Sequence, residues 1–309
     1  MTSPLLARPG AVPADPPDEG VAAHYGDPFR EQRLLVEGAA SVDLSHRPVV
    51  RVTGPDRLSW LHSLTSQHLE HLEPGVATEA LLLSPHGHVE HAMALVDDGD
   101  STWAHVEPGT AEELVTFLDR MRFWSKVEVE DVSRTFALVL RQAPVTGAVS
   151  RTTPDGVESF VPREDLATVL DGELAGVWAL EALRIAAGRP RFGLETDHRT
   201  IPHELGWIPA AVHLDKGCYR GQETVARVSN LGRPPRRLVL LHLDGSESEL
   251  PEPGSMVVLG DRDVGRVTSS ARHFELGPIA LAVVKRSTPT DATLVAGGVA
   301  AAQEVLVPA

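Results

Sequence analysis

The chain has 309 residues, among them 26 glycines, 24 prolines, two tyrosines and one cysteine. That length suits about two domains, or three small ones, with a core that needs no disulfide or metal staples. Lys and Arg number 28 against 43 Asp and Glu, a net charge of −15 that disfavours nucleic acid and anionic membranes as direct partners. A lone cysteine excludes an internal disulfide and a paired-thiol zinc or redox site. No apolar run reaches the roughly 18 residues of a membrane span, and no compact apolar signal core opens the chain.

Residues 1–24 are rich in Pro, Ala and Asp without apolar period, which predicts a disordered arm. Pro48 to Val52 predicts a strand. It leads into Thr53-Gly54-Pro55-Asp56, where Thr53 or Gly54 can cap a helix carrying Leu58, Leu61 and Leu64. Leu81 to Leu83 and Val89 to Val96 flank Pro85-His86-Gly87-His88, the pattern of a hairpin. Thr110 and Glu113 carry a capping-box signature before Leu114, Phe117, Leu118 and Met121 at helical spacing. Phe136 to Leu140 predicts a strand, and Ala175 to Ala187 a helix stopped by Gly188-Arg189-Pro190. Residues 202–232 read as irregular. Beyond Pro234-Pro235 only short strands follow, at Leu238 to Leu243, Met256 to Leu259, Val264 to Thr268, Ile279 to Val284 and Val305 to Val307. This mixture predicts an α+β fold with a small closed β domain at its C-terminal end.

The densest chemistry lies in Asp215-Lys216-Gly217-Cys218-Tyr219-Arg220-Gly221-Gln222-Glu223. Lys216 and Arg220 can favour the thiolate of Cys218, and glycines allow close approach of a ligand. Spacing alone leaves a tight turn around an inert, buried cysteine equally open. His86 and His88 share a strand face, but no Cys or carboxylate cluster completes a metal site there, so none is expected. His198, His203 and His213 are expected to be surface or loop residues. Glu181 and Arg184 are one helical turn apart and can pair. Arg189 and Arg191 make a local positive patch that could meet a polyglutamate tail.

Lys216-Gly217-Cys218-Tyr219-x-Gly221-Gln222-Glu223 resembles the signature of the YgfZ-type folate-binding proteins, relatives of the glycine-cleavage T-protein, an aminomethyltransferase. Val52-Thr53-Gly54-Pro55-Asp56, Ala182 to Gly188, Ile201-Pro202-x-Glu204 and Gly265-Arg266-Val267-Thr268-Ser269 extend the likeness over nearly everything after the arm. The resemblance implies a three-lobed ring around a channel for tetrahydrofolate or a one-carbon derivative. It places a folate-binding region at 25–233, whose two intertwined α+β lobes put the second at roughly 76–172, and a barrel domain at 234–309. It implies a monomeric accessory protein for iron–sulfur cluster assembly or repair, and an arm with only Arg8 as a basic residue before Arg30 argues against a transit peptide, so a cytoplasmic place is expected. Its partners would be cluster-assembly proteins or client enzymes, some of which modify tRNA. The alternatives are a folate-dependent aminomethyl or methyl transferase and a non-catalytic interaction module.

Asp155-Gly156-Val157-Glu158-x-x-Val161-Pro162 resembles the T-protein segment whose glutamate holds the pterin ring, a role carried to Glu158. The resemblance makes Cys218 the reactive thiol, with Lys216 and Tyr219 shaping its surroundings. It assigns Arg184, Gly217, Gly221, Gln222 and Glu223 to the folate side. Two T-protein features are lost. The pair that supplies its catalytic carboxylate falls at His91 and Ala92, and a helix arginine falls at Leu180. Aromatic positions of some YgfZ relatives fall at Arg47 and Leu180, with Trp178 nearby. These departures favour a binder over a transferase.

Overall fold

The computed structural model describes residues 1–246 and 249–308. The chain divides into two compact units. One comprises Met1–Leu82, His91–Leu180 and Lys216–Tyr219; the other comprises Leu83–Glu90, Glu181–Asp215 and Arg220–Ala309. The fold is α+β, as its pattern of short strands and isolated helices predicts.

The first unit is built on two five-stranded sheets. One runs in the order Thr78–Leu83, Val89–Asp97, Ser101–His105, Val49–Thr53 and Glu128–Asp131. The other runs Val149–Thr153, Gly156–Pro162, Phe136–Arg141, Ser41–Asp43 and Leu174–Ala175, the last pair parallel. Alternation in each strand gives each sheet two apolar faces. Val49, Val96 and Trp103 of the first sheet pack on Val42, Leu138, Leu140 and Phe160 of the second. The outer face of the first sheet buries Val50, Val52, Leu95 and Ala104 under helices Arg57–Leu64 and Ala111–Arg120. The helix at 111–120 follows the predicted apolar stripe. Its predicted capping box is absent, because Thr110 Oγ1 donates back to the Glu107 carbonyl at 2.8 Å. Helix Arg57–Leu64 is likewise entered at Asp56 and not at Thr53 or Gly54.

The N-terminal arm is a correction. Residues 4–7 form a 3-10 turn, and 12–13 pair with 22–24 as a short ribbon. Leu5 is buried with Val139, Val161 and Leu166, while Val21 and Ala23 enter the core between the sheets. Isolated apolar residues of this kind have no period, yet each fills a hole in an existing core. Burying such a side chain contributes roughly 1.5–3 kcal/mol, enough to order a few residues around it.

In the second unit, six strands close a barrel in the order Arg236–Leu243, Gly277–Lys285, Arg262–His273, Met256–Leu259, Leu294–Ala296 and Val299–Val305. Val239, Leu241, Val267, Ala280, Ala282, Val284 and Leu294 fill it. Small Ala side chains beside branched ones suit so narrow a barrel. The segment expected to be irregular contains a helix, Gln222–Leu231, entered at Gly221 and closed at Gly232, both with positive φ. It escaped the sequence reading because its first residues belong to the cysteine motif and its apolar stripe is weak.

Candidate functional site

Glu158 lies on Gly156–Pro162, opposite Arg151 on the neighbouring strand. Arg151 Nη1 and the His105 Nε2 edge meet the same oxygen, Glu158 Oε2, at 2.5 and 3.0 Å. The Glu158 side chain is about one-tenth exposed. Burial works to raise its pKa, but contact with His105 and the charges of Arg151 and Arg47 outweigh it and hold the carboxyl well below the usual range. Burial pushes His105 down, against the pull of Glu158. Glu158 is therefore a buried, ionised acceptor. A carboxylate offers about four lone-pair directions, and these two contacts occupy one oxygen only.

The cysteine motif separates into residues with different tasks. Cys218 is exposed, which removes the reading of an inert buried thiol. Lys216 is buried, and its Nζ donates to the carbonyls of His62, of Thr65 at 2.6 Å and of Gln67 at 3.0 Å. Three carbonyls around one ammonium make it a clamp on the end of helix Arg57–Leu64. Burial pushes its pKa down to about 8. Its Nζ also sits 5.1 Å from the centre of the Tyr219 ring. Tyr219 is buried in turn, and burial raises its phenol to about 12, so it remains protonated. Arg220, expected beside the thiol, pairs with Glu90 at 2.9 Å.

Gly217 and Gly221 differ in the same way. A Cβ on Gly221 would stand 2.6 Å from the Ser84 carbonyl oxygen and 2.9 Å from Gly87 Cα, and its φ is +85°. Only glycine lets the helix start so close to the 84–88 turn. Gly217 has no neighbour within 4 Å of such a Cβ. Gln222 and Glu223 open helix Gln222–Leu231, where Glu223 complements the positive end of the helix dipole.

Arg184, expected partly on the folate side, is spent within its own unit. Its guanidinium reaches Glu181 at 2.8 and 3.0 Å, Glu195 at 3.1 Å, the Arg189 carbonyl at 2.7 Å and Ser269 Oγ at 2.8 Å. Arg191 is buried and pairs with Glu181 at 2.9 Å, so it is no open docking point for a polyglutamate tail. Glu204 of the Ile-Pro-x-Glu loop is fully buried and binds Arg236, at the first barrel strand, at 2.8 and 2.9 Å. Glu195 and Asp197, which complete these networks, carry no local sequence signal and were missed.

His91, where the T-protein carboxylate would fall, is a buried histidine on Val89–Asp97, and Leu180 lies in the core between the sheets. Trp178 is half-exposed, its ring centre 5.3 Å from that of His24 and tilted by 43°. The His86 and His88 rings are 6.1 Å apart. Among the described residues, the cluster with metal-ligand spacing is a different one, His62, His68 and Glu70. No helix of the described residues is long and apolar enough to cross a membrane.

Comparison with known proteins agrees with this architecture. Residues 236–307 match the glycine cleavage T-protein C-terminal barrel domain. The structure superposes on the glycine cleavage system aminomethyltransferase T of Bartonella henselae with a TM-score of 0.76 at 18% identity, covering 97% of this chain and 94% of that one. A candidate chloroplastic transferase of Arabidopsis thaliana is 25% identical, over 85% of this chain and 70% of that protein. The aminomethyltransferase of Thermus thermophilus is 30% identical over 77% of both chains. On that identity, and with a T-protein barrel closing its C-terminal end, the chain belongs to the aminomethyltransferase family of the glycine cleavage T-protein.

Proposed function

We propose that this protein binds tetrahydrofolate or a one-carbon derivative, with Glu158 accepting the pterin's N–H groups. The observation that carries the reading is an ionised, buried carboxylate in the segment, Asp155 to Pro162, that resembles the pterin-holding segment of the T-protein. Two parallel N–H donors of an aminopyrimidine edge suit a carboxylate. Arg151 and His105 fix its charge and orientation beforehand. Calorimetric titration with tetrahydrofolate tests this. Wild type binds, and Glu158→Gln, which keeps the shape but loses the charge, weakens binding by at least about tenfold. A wild type that takes up no folate ends the proposal.

One-carbon group transfer is the activity supported by the names of the relatives. It needs an acid–base partner near the reacting nitrogen. With His91 and Ala92 where the T-protein has carboxylates, Glu90 is the nearest replacement in sequence, and it pairs with Arg220 at 2.9 Å. Turnover of an aminomethyl-lipoyl carrier by the purified protein would establish this activity. A second reading is favoured by the exposed Cys218 in its YgfZ-like motif: an accessory protein for iron–sulfur cluster assembly or repair, including in tRNA-modifying clients. One thiol cannot hold a cluster, so the client or assembly partner would supply the other ligands. Full rescue of iron–sulfur enzyme activity in a deletion strain by Cys218→Ser would remove the thiol from that role. A free, exposed thiol also supports a reducing compartment such as the cytoplasm.

A further inference from the structure

We propose that His62, His68 and Glu70 form a binding site for a divalent transition-metal ion of the zinc type. One ligand atom from each of the three side chains lies within 4.8 Å of the others. The His62 and His68 rings meet edge-on with centroids 4.7 Å apart, and the His71 ring stands 5.9 Å from that of His68. Two imidazoles and a carboxylate are a donor set zinc takes with a fourth position left to water. Calcium and magnesium prefer oxygen alone. Bonds near 2.1 Å in a tetrahedron put ligand atoms about 3.4 Å apart, so the three must close by about an ångström. Glu70 is exposed, and a change of rotamer supplies that movement.

The backbone around the site is already fixed. His62 lies in the last turn of helix Arg57–Leu64, the end whose dipole favours a cation. Ser66 exchanges two hydrogen bonds with Leu81, at 2.9 Å from its N–H and 3.0 Å to its hydroxyl. The Thr65 and Gln67 carbonyls are held by Lys216, and Leu69 is fully buried. His68 therefore stands between two anchored neighbours, and little backbone freedom is lost when it takes a metal.

Two costs are visible, and both are modest. The Leu69 N–H donates to His62 Nδ1 at 3.3 Å. A metal on Nδ1 displaces that bond, and a metal on Nε2 moves the imidazole proton to Nδ1, so one long hydrogen bond is exchanged for a metal bond. The ammonium of Lys216, on the His62 carbonyl, repels a dication, and the charge of Glu70 offsets it. Neither folate binding nor the Cys218 chemistry proposed above uses these three side chains.

The test is titration of untagged, full-length protein with Co²⁺, followed by visible absorption, and with Zn²⁺, followed by calorimetry and by thermal unfolding. Wild type is expected to bind saturably at a single site, and zinc to raise its Tm. His68→Ala and Glu70→Gln, at a partly exposed and an exposed position, should each weaken binding at least about tenfold. His86→Ala should leave it unchanged, since that residue lies outside the cluster. Absence of saturable binding by wild type, unaltered affinity in His68→Ala, or loss of binding in His86→Ala would each overturn the assignment.

Discussion

Glu158 and Glu195 are both buried glutamates held by arginine, one in each unit, and their surroundings differ in a single respect. Around Glu195 the charges close: two guanidiniums, Arg184 and Arg191, face two carboxylates, Glu181 and Glu195. Its remaining acceptor positions take the Arg191 N–H at 2.7 Å, Thr268 Oγ1 at 2.9 Å and Ser269 Oγ at 2.5 Å. Around Glu158 the charges do not close. Arg151 and Arg47 act on one carboxylate, and the buried Nε atoms of both have no hydrogen-bond partner among the described residues. A satisfied network joins elements of the fold. An unsatisfied one leaves buried donors unpaired, and that difference supports the ligand role proposed for Glu158.

The comparison breaks most directly at Glu195. Replacing it with Gln leaves Arg184 and Arg191 to share the one remaining carboxylate, Glu181, and should cost about 3–5 kcal/mol in urea unfolding, the expense of opening a buried ion network. Glu158→Gln should cost less, about 1–3 kcal/mol, because it alters two contacts of a side chain about one-tenth exposed, whereas the fully buried Glu195 accepts four. Equal losses would mean that both clusters serve the fold alone.

The pH dependence sharpens the contrast. The Glu158 carboxyl in the folded protein titrates well below 4.5, its ordinary value. As pH falls past that ordinary value, the unfolded chain takes up the proton first. The stabilisation from ionised Glu158 is therefore complete above about 4.5 and is lost progressively below it. Glu158→Gln has no such proton to gain. The stability difference between wild type and this variant, followed by urea unfolding across acidic pH, should shrink below that point; a constant difference would mean that the carboxylate is not held ionised by its neighbours.

Periodic segments were legible from residues alone: the 81–96 hairpin, the 111–120 helix and four barrel strands all follow their apolar patterns. What escaped was whatever depends on partners distant in sequence. Leu5 and Val21 looked like loop residues because the cores that receive them are built by strands far along the chain. Lys216 read as a thiolate neighbour because it is two residues from Cys218, whereas its three carbonyl acceptors lie about 150 residues earlier. The family signature marked the right segment. It could not divide that segment into a clamp, a packed ring, an exposed thiol and a helix start. His62 and His68 were passed over because a helix end and a turn, with no fixed spacing, bring them together.

The smallest predicted effect divides the two glycines of that signature. Gly221→Ala must accommodate a methyl against the Ser84 carbonyl oxygen, an oxygen that belongs to a backbone turn and cannot swing away. Its φ of +85° adds strain for any residue with a Cβ, and the combined cost should be about 1–3 kcal/mol. Gly217→Ala meets nothing within 4 Å and lies outside the positive-φ set, so the same substitution should change stability by no more than about 0.5 kcal/mol. Chemical denaturation measures both. If Gly217→Ala is neutral for folding but lowers folate affinity in the calorimetric titration, Gly217 faces the ligand and Gly221 only the fold. If both properties are unchanged, Gly217 is no folate-side residue, and Cys218 is an exposed thiol still awaiting a partner.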